Sequence, residues 1–182
     1  MTPDTFTAPE LGFEITKPKN WEFVPTQWAK NTRKHAKLTP AQSDILAKSA
    51  VPFVYLQYVH DSPDYAFPTI QVTCRLLTAT PPLLAQLLAL QTQTIARTYP
   101  DATITDATDA FVLSGHPATH FKSVFSIKNH AGTEFSILSR SYLVIVGQLA
   151  FTLGLSGPSK GPHTRAADFE AILKSVKISP CI

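Results

Sequence analysis

Cysteine is nearly absent from this chain. Its two residues, Cys74 and Cys181, exclude a disulfide-dense scaffold and a four-cysteine zinc site. Charge is sparse too: 16% of the 182 residues are charged, against about a quarter in ordinary globular chains. The surface must therefore be covered largely by Thr, Ser, Gln and Asn, and the net charge of +3 is too small to imply nucleic acid by itself. No long apolar run occurs. The charge-free window Leu76–Ala96 is interrupted by Pro81, Pro82, Gln86, Gln91 and Gln93, and Ser141–Ser159 by Gly147, Gly154 and Pro158. Neither is continuously apolar over about 20 residues, so no transmembrane segment is expected and the chain is expected to be soluble. Met1–Pro9 has no basic start and no apolar core, so an intact signal peptide is not expected; one could have been removed. Ser114-Gly115-His116 lacks the Gly-x-Ser-x-Gly pattern of a nucleophile elbow, and neither a phosphate loop nor a dinucleotide fingerprint is present.

What the chain does have is a clear run of alternating elements in its last third. The turn Leu113-Ser114-Gly115-His116-Pro117 leads into a strand at Ala118–Ile127. The Asn129–Thr133 turn leads into Glu134–Val146, and Gly147-Gln148 into Leu149–Leu155. Such short turns require antiparallel neighbours. Glu134–Val146 is apolar on both parities, with Phe135, Ile137, Leu143 and Ile145 against Leu138, Tyr142, Val144 and Val146. A sheet of that kind is covered on both faces.

Upstream, Gly12–Thr16 and Trp21–Val24 read as the arms of a hairpin, with residues 1–10 expected as a flexible tail. Thr39-Pro40-Ala41-Gln42 has the composition of a helix start, and Phe53–His60 and Thr69–Leu77 read as strands. Thr80-Pro81 opens a helix expected to run to Thr98, with Leu84, Leu87, Leu88, Gln91 and Ile95 on one face. A closing helix, Arg165–Val176, turns Phe169, Ile172 and Leu173 inward. Cys74 falls on the apolar parity Ile70-Val72-Cys74-Leu76 and is read as a small core residue; a bond to Cys181 is the other arrangement open to it.

Few residues carry chemistry. Arg140 sits mid-strand among Leu138, Tyr142 and Val144, where an unpaired buried charge costs several kcal/mol. It must reach a carboxylate or water, or clamp an anion in a cleft between sheet and helix, and it is the foremost site candidate. Lys30, Arg33, Lys34, His35 and Lys37, preceded by Trp28, form the basic cluster of the chain. Such a run is usually a solvated face, and otherwise suits an acidic partner, anionic lipid or nucleic acid. The aromatic interleaving of a nucleic-acid module is missing. In the loop His60–Tyr65, the group His60, Asp61 and Asp64 could act as an acid–base pair or weak cation site, although turn chemistry accounts for it. His116 and His120, four apart on an extended chain, are about 13 Å from one another, too far to share an ion. No metal or other cofactor is expected.

Gly-Phe-Glu-Ile-Thr-Lys-Pro-Lys-Asn-Trp at residues 12–21 resembles the opening of PsbP-like proteins. Gly115-x-Pro117-Ala118, Arg140-Ser141-Tyr142-Leu143 and Phe169-x-x-Ile172-Leu173-x-Ser175-Val176 resemble, in order, that family's middle, long strand and closing helix. The family includes extrinsic photosystem II subunits, a Ran-binding nucleotide-release factor and bacterial exported proteins of unknown role. The resemblance implies an α+β fold: one domain spanning residues 1–182, an αβα sandwich with a central antiparallel sheet of about six strands plus an N-terminal β-hairpin. It implies a bacterial, non-enzymatic binding or assembly module acting through a protein partner, exported or periplasmic with its signal removed; a cytoplasmic chain is the alternative. The partner-binding candidates are Trp28, Arg33, Lys34, His60, Asp61, Arg140 and Tyr142. The alternative is a small-ligand or lipid carrier with a cleft lined by Tyr55, Tyr142 and Arg140.

Overall fold

The structure, a computed structural model, describes residues 4–25, 51–59, 67–78, 80–129, 132–161 and 163–180. Strands dominate because β-branched and aromatic residues recur in the segments between turns, and tight turns return the chain on itself. The large sheet has seven strands: β3 (Trp21–Phe23), β4 (Val54–Tyr58), β5 (Thr69–Leu76), β6 (Thr103–Leu113), β7 (His116–Lys128), β8 (Glu134–Val146) and β9 (Leu149–Pro158). Their spatial order is β3-β4-β5-β9-β8-β7-β6, with every neighbour antiparallel. A smaller sheet joins β1 (Thr5–Ala8), β2 (Phe13–Thr16) and β10 (Lys177–Ile178) in the order β1-β2-β10. Two α-helices, α1 (Leu84–Thr98) and α2 (Ala166–Ser175), and a short 3-10 helix at Pro9–Leu11 complete the described elements.

The register assigns each sheet residue to a face, since side chains alternate along a strand. Trp21, Leu56, Ile70, Leu155, Arg140 and Lys122 share one face. This is the main core. α2 covers it through Phe169, whose ring lies 5.9 Å from that of Trp21, and the small sheet covers it through Phe13, stacked 5.7 Å from Phe151. Trp21, Phe13, Phe151 and Phe169 are fully buried, and each contributes about 1.5–3 kcal/mol by leaving water. α1 lies on the other face, where Thr119 donates to Gln91 at 3.0 Å and Phe125 stacks on Tyr99 at 3.9 Å. The fold is thus an α+β sandwich with a helix on each side of an antiparallel sheet, as the apolar runs on both parities of β8 require.

Several local expectations change. The N-terminal hairpin exists, but its arms are β1 and β2. Trp21–Phe23 instead pairs with β4, because Asn20 adopts a positive φ of 67° and turns the chain toward the large sheet. Residues 5–8 are therefore strand rather than tail. The sheet gains a seventh strand because Thr103–Leu113 is one continuous edge strand, bent where its register shifts between Thr105 and Thr108 and again before Phe111. α1 starts at Leu84 rather than Pro81, since Thr80 and Pro81 each precede a proline and are pushed out of helical geometry. The Leu83 backbone N–H then donates to the Gln86 side chain at 3.3 Å. His116 opens β7 instead of sitting in the turn, and its Nε2 faces the Ile178 carbonyl at 3.1 Å. Cys74 is only partly buried at the margin of the core. The helix expected from Thr39, and Cys181 with its proposed pairing, lie outside the described residues.

The two sheets are stitched by the C-terminal segment. Ser179 N–H donates to the Gly12 carbonyl at 2.9 Å, and Ile178 N–H to the Ser114 hydroxyl at 2.8 Å. Gly12 has a φ of 60°, and a Cβ added there would collide with the Ser179 carbonyl oxygen. Gly147 has the same φ with nothing within 4 Å of an added Cβ. Gly147→Ala is expected to cost about 1 kcal/mol from backbone strain alone. Gly12→Ala adds the clash and is expected to cost at least about 2 kcal/mol more in urea unfolding; equal losses would contradict the stitch.

Candidate partner-binding site

Trp21 anchors one end of the large sheet. Its indole N–H donates to Asp168 Oδ2 at 3.1 Å, which satisfies the buried ring's polar atom from the first turn of α2. The Tyr58 ring packs edge-on against Trp21 at 5.8 Å, and the Arg165 guanidinium sits 3.9 Å over the Tyr58 ring. Beyond this cluster the ends of β3 and β4 form an open groove of about 410 Å³. Glu22, Phe23, Val24 and Pro25 line one side, and Gln57, Tyr58, Val59 and Phe67 the other. Backbone bonds fix both rims: Val24 N–H donates to Tyr55 O, Val59 N–H to Asn20 O and Tyr58 N–H to Pro68 O, all at 2.9–3.0 Å. Val59 is exposed at this rim.

The sequence candidates relate to this groove by connection. Trp28, Arg33, Lys34, His60 and Asp61 lie outside the described residues. The chain carrying the first three leaves the groove at Pro25, and the chain carrying the last two leaves it at Val59 and returns at Phe67.

Arg140 and Tyr142 lie elsewhere, two apart on the core face of β8 and separated from β4 by β9 and β5. Arg140 does find the carboxylate it needs: Nη1 lies 2.6 Å from Glu170 Oε1 on α2, and the guanidinium approaches the Phe169 ring at 5.9 Å. Tyr142 is buried, and burial pushes its hydroxyl above the ordinary phenol value against the opposing charge of Arg140. Tyr55 faces the opposite side of the sheet from Tyr142, because it pairs with Gln71 and through it with Gly154 and Ser141. A single cleft lined by Tyr55, Tyr142 and Arg140 therefore does not exist.

Sequence reasoning missed the neighbours of Arg140. His120 lies opposite Tyr142 and Lys122 opposite Arg140 across β7–β8. The His120 ring stacks on Tyr142 at 4.4 Å, and Phe111 of β6 lies 5.4 Å from His120. A carbonyl only accepts, so the 3.2 Å contact with Ser141 O places the proton on His120 Nδ1. The signal was present in the turn: counting outward from Lys128 and Glu134 gives both pairs.

No family model matches the chain, and no curated protein matches it in sequence. Its architecture is nevertheless that of a known class of antiparallel αβα sandwich. LpqN, involved in cell envelope biogenesis of Mycobacterium tuberculosis, superposes with a TM-score of 0.59 at 15% identity, over 92% of this chain and 83% of that one. Cyanobacterial PsbP (CyanoP) from Synechocystis gives 0.53 at 13% identity, over 96% and 91%. The Ran-binding protein Mog1p from Saccharomyces cerevisiae gives 0.50 at 10% identity, over 93% and 91%. The chain has the PsbP-like fold.

Burial, aided by the charges of Lys122 and Arg140, holds His120 below the ordinary histidine pKa, against the hydrogen bond to Ser141. The unfolded chain takes up this proton near pH 6.5 while the folded one still resists it, so stability falls as pH drops through that value. The fall ends below the folded pKa. A His120→Gln variant is expected to show a shallower loss of urea stability between about pH 7 and pH 5 than the parent; parallel curves would remove His120 as the cause.

Proposed function

We propose that this protein is a non-enzymatic binding module that captures an acidic protein surface at the β3–β4 end of its large sheet. The observation that carries the reading is convergence: the segments bearing Trp28, Arg33 and Lys34 and bearing His60 and Asp61 both depart from the rims of one open groove. A groove with Phe23, Val59 and Phe67 on its walls offers apolar area, and the basic run that follows Pro25 in sequence offers steering toward negative charge. Large aromatics such as Trp28 commonly anchor partners. The likeness to a Ran-binding protein and to an envelope-biogenesis protein supports a binding or assembly role, and the latter fits an exported chain.

The test is capture by the immobilised wild-type chain and by a Trp28→Ala, Lys34→Glu variant. Removing an anchor and reversing a charge is expected to weaken a specific partner by at least about 2 kcal/mol, or about thirtyfold. Binding to the wild type is expected to weaken as salt rises, because exposed charges are screened. Undiminished capture by the variant would rule out this surface.

A further inference from the structure

The sheet face beneath α2 is apolar apart from a short polar lane, and the structure there is unusual in its charge arrangement. Lys122 of β7 lies directly opposite Arg140 of β8. Like charges in that relation repel, so both need compensation. It comes from two different walls. Asp106 of the β6 edge strand holds Lys122 at 2.7 Å, and Glu170 of α2 holds Arg140 at 2.6 Å. The anions are the more exposed members: the Asp106 and Glu170 side chains are 58% and 54% exposed, against 34% for Lys122 and 12% for Arg140. Arg140 spends Nη1 on Glu170, while its Nε is buried with no hydrogen-bond partner. A guanidinium preferentially takes a carboxylate through two parallel N–H groups, and Glu170 satisfies this fork only in part. The stacked His120–Tyr142 pair fixes the adjoining floor.

We propose that Lys122 and Arg140 form a carboxylate clamp between β6 and α2, in which an acidic side chain of an incoming peptide displaces Glu170. Glu170 rotates into solvent, and the new carboxylate takes its place on Arg140 Nη1 beside Lys122, with the buried Nε–H sensing the exchange. A carboxylate fits better than a phosphate, because Asp106 remains beside Lys122 and repels a second negative charge. The clamp lies across β5 and β9 from the β3–β4 groove, so it stands or falls independently of the capture surface proposed above.

The test follows the Arg140 Nε–H resonance, assigned with an Arg140→Lys variant, during titration with a blocked triglutamate peptide, its glutamine counterpart or inorganic phosphate. Triglutamate is expected to shift the signal saturably in the wild type, and the glutamine peptide is not. Glu170→Gln removes the resident competitor and is expected to tighten binding, by about tenfold if Glu170 holds Arg140 nine-tenths of the time. Lys122→Met, at a half-exposed position, is expected to weaken it while leaving the amide spectrum folded. No saturable shift in Glu170→Gln, equal binding of the glutamine peptide, unchanged affinity in Lys122→Met, or tighter binding of phosphate than triglutamate would each overturn the proposal.

Discussion

The register of β8 against its neighbours is the constraint on which the rest depends. A slip by one residue would carry Arg140 and Tyr142 to the α1 face and bring Ser139, Ser141 and Leu143 under α2. The apolar contacts of Phe169 and the ion pair to Glu170 would be lost together. Two turns prevent it. Asn129 closes the β7–β8 turn with its backbone and its side chain, accepting from Thr133 N–H at 2.9 Å through Oδ1. Gly147, in the left-handed region at a φ of 60°, closes the β8–β9 turn.

That rigid meander makes the two ends of the large sheet chemically different. At the β6–β7–β8 end, the strands are long and paired over many residues, so side chains such as Lys122 and Arg140 are held in fixed relation. At the β3–β4 end, the strands are short and the chain departs into two long connections. Trp21, tied to Asp168 and packed on Phe169, links that end to α2 and gives the groove a firm floor. The exposed side of α1, which carries Leu90, belongs to neither site.

Much of the fold was legible because the deciding signals are local. The bounds of β8 coincide with the apolar run from Glu134 to Val146, and α2 closely follows its expected span. The expectation of cover on both faces came from the double parity of β8 and holds. What was not legible depended on distant pairing. Nothing local in Trp21–Phe23 distinguishes β4 from β2 as its partner; the backbone of Asn20 and the burial of Trp21 against Phe169 decide it. The site was read less well. Arg140 was identified from the cost of a mid-strand charge, but its partner Glu170 is 30 residues away on α2, and no periodicity announces that contact. Tyr55 and Tyr142 looked alike in sequence, and only the chain of registers through β5 and β9 separates their faces.

The functional proposal rests on partners engaging the β3–β4 end. The most direct measurement places a photo-crosslinking residue at Gln57, on the groove rim, or at Leu90, on the exposed side of α1, in the organism that makes the protein. A discrete crosslinked protein species is expected from Gln57 and is expected to be absent from Leu90. The same species from both positions, or one from Leu90 alone, would contradict the proposal.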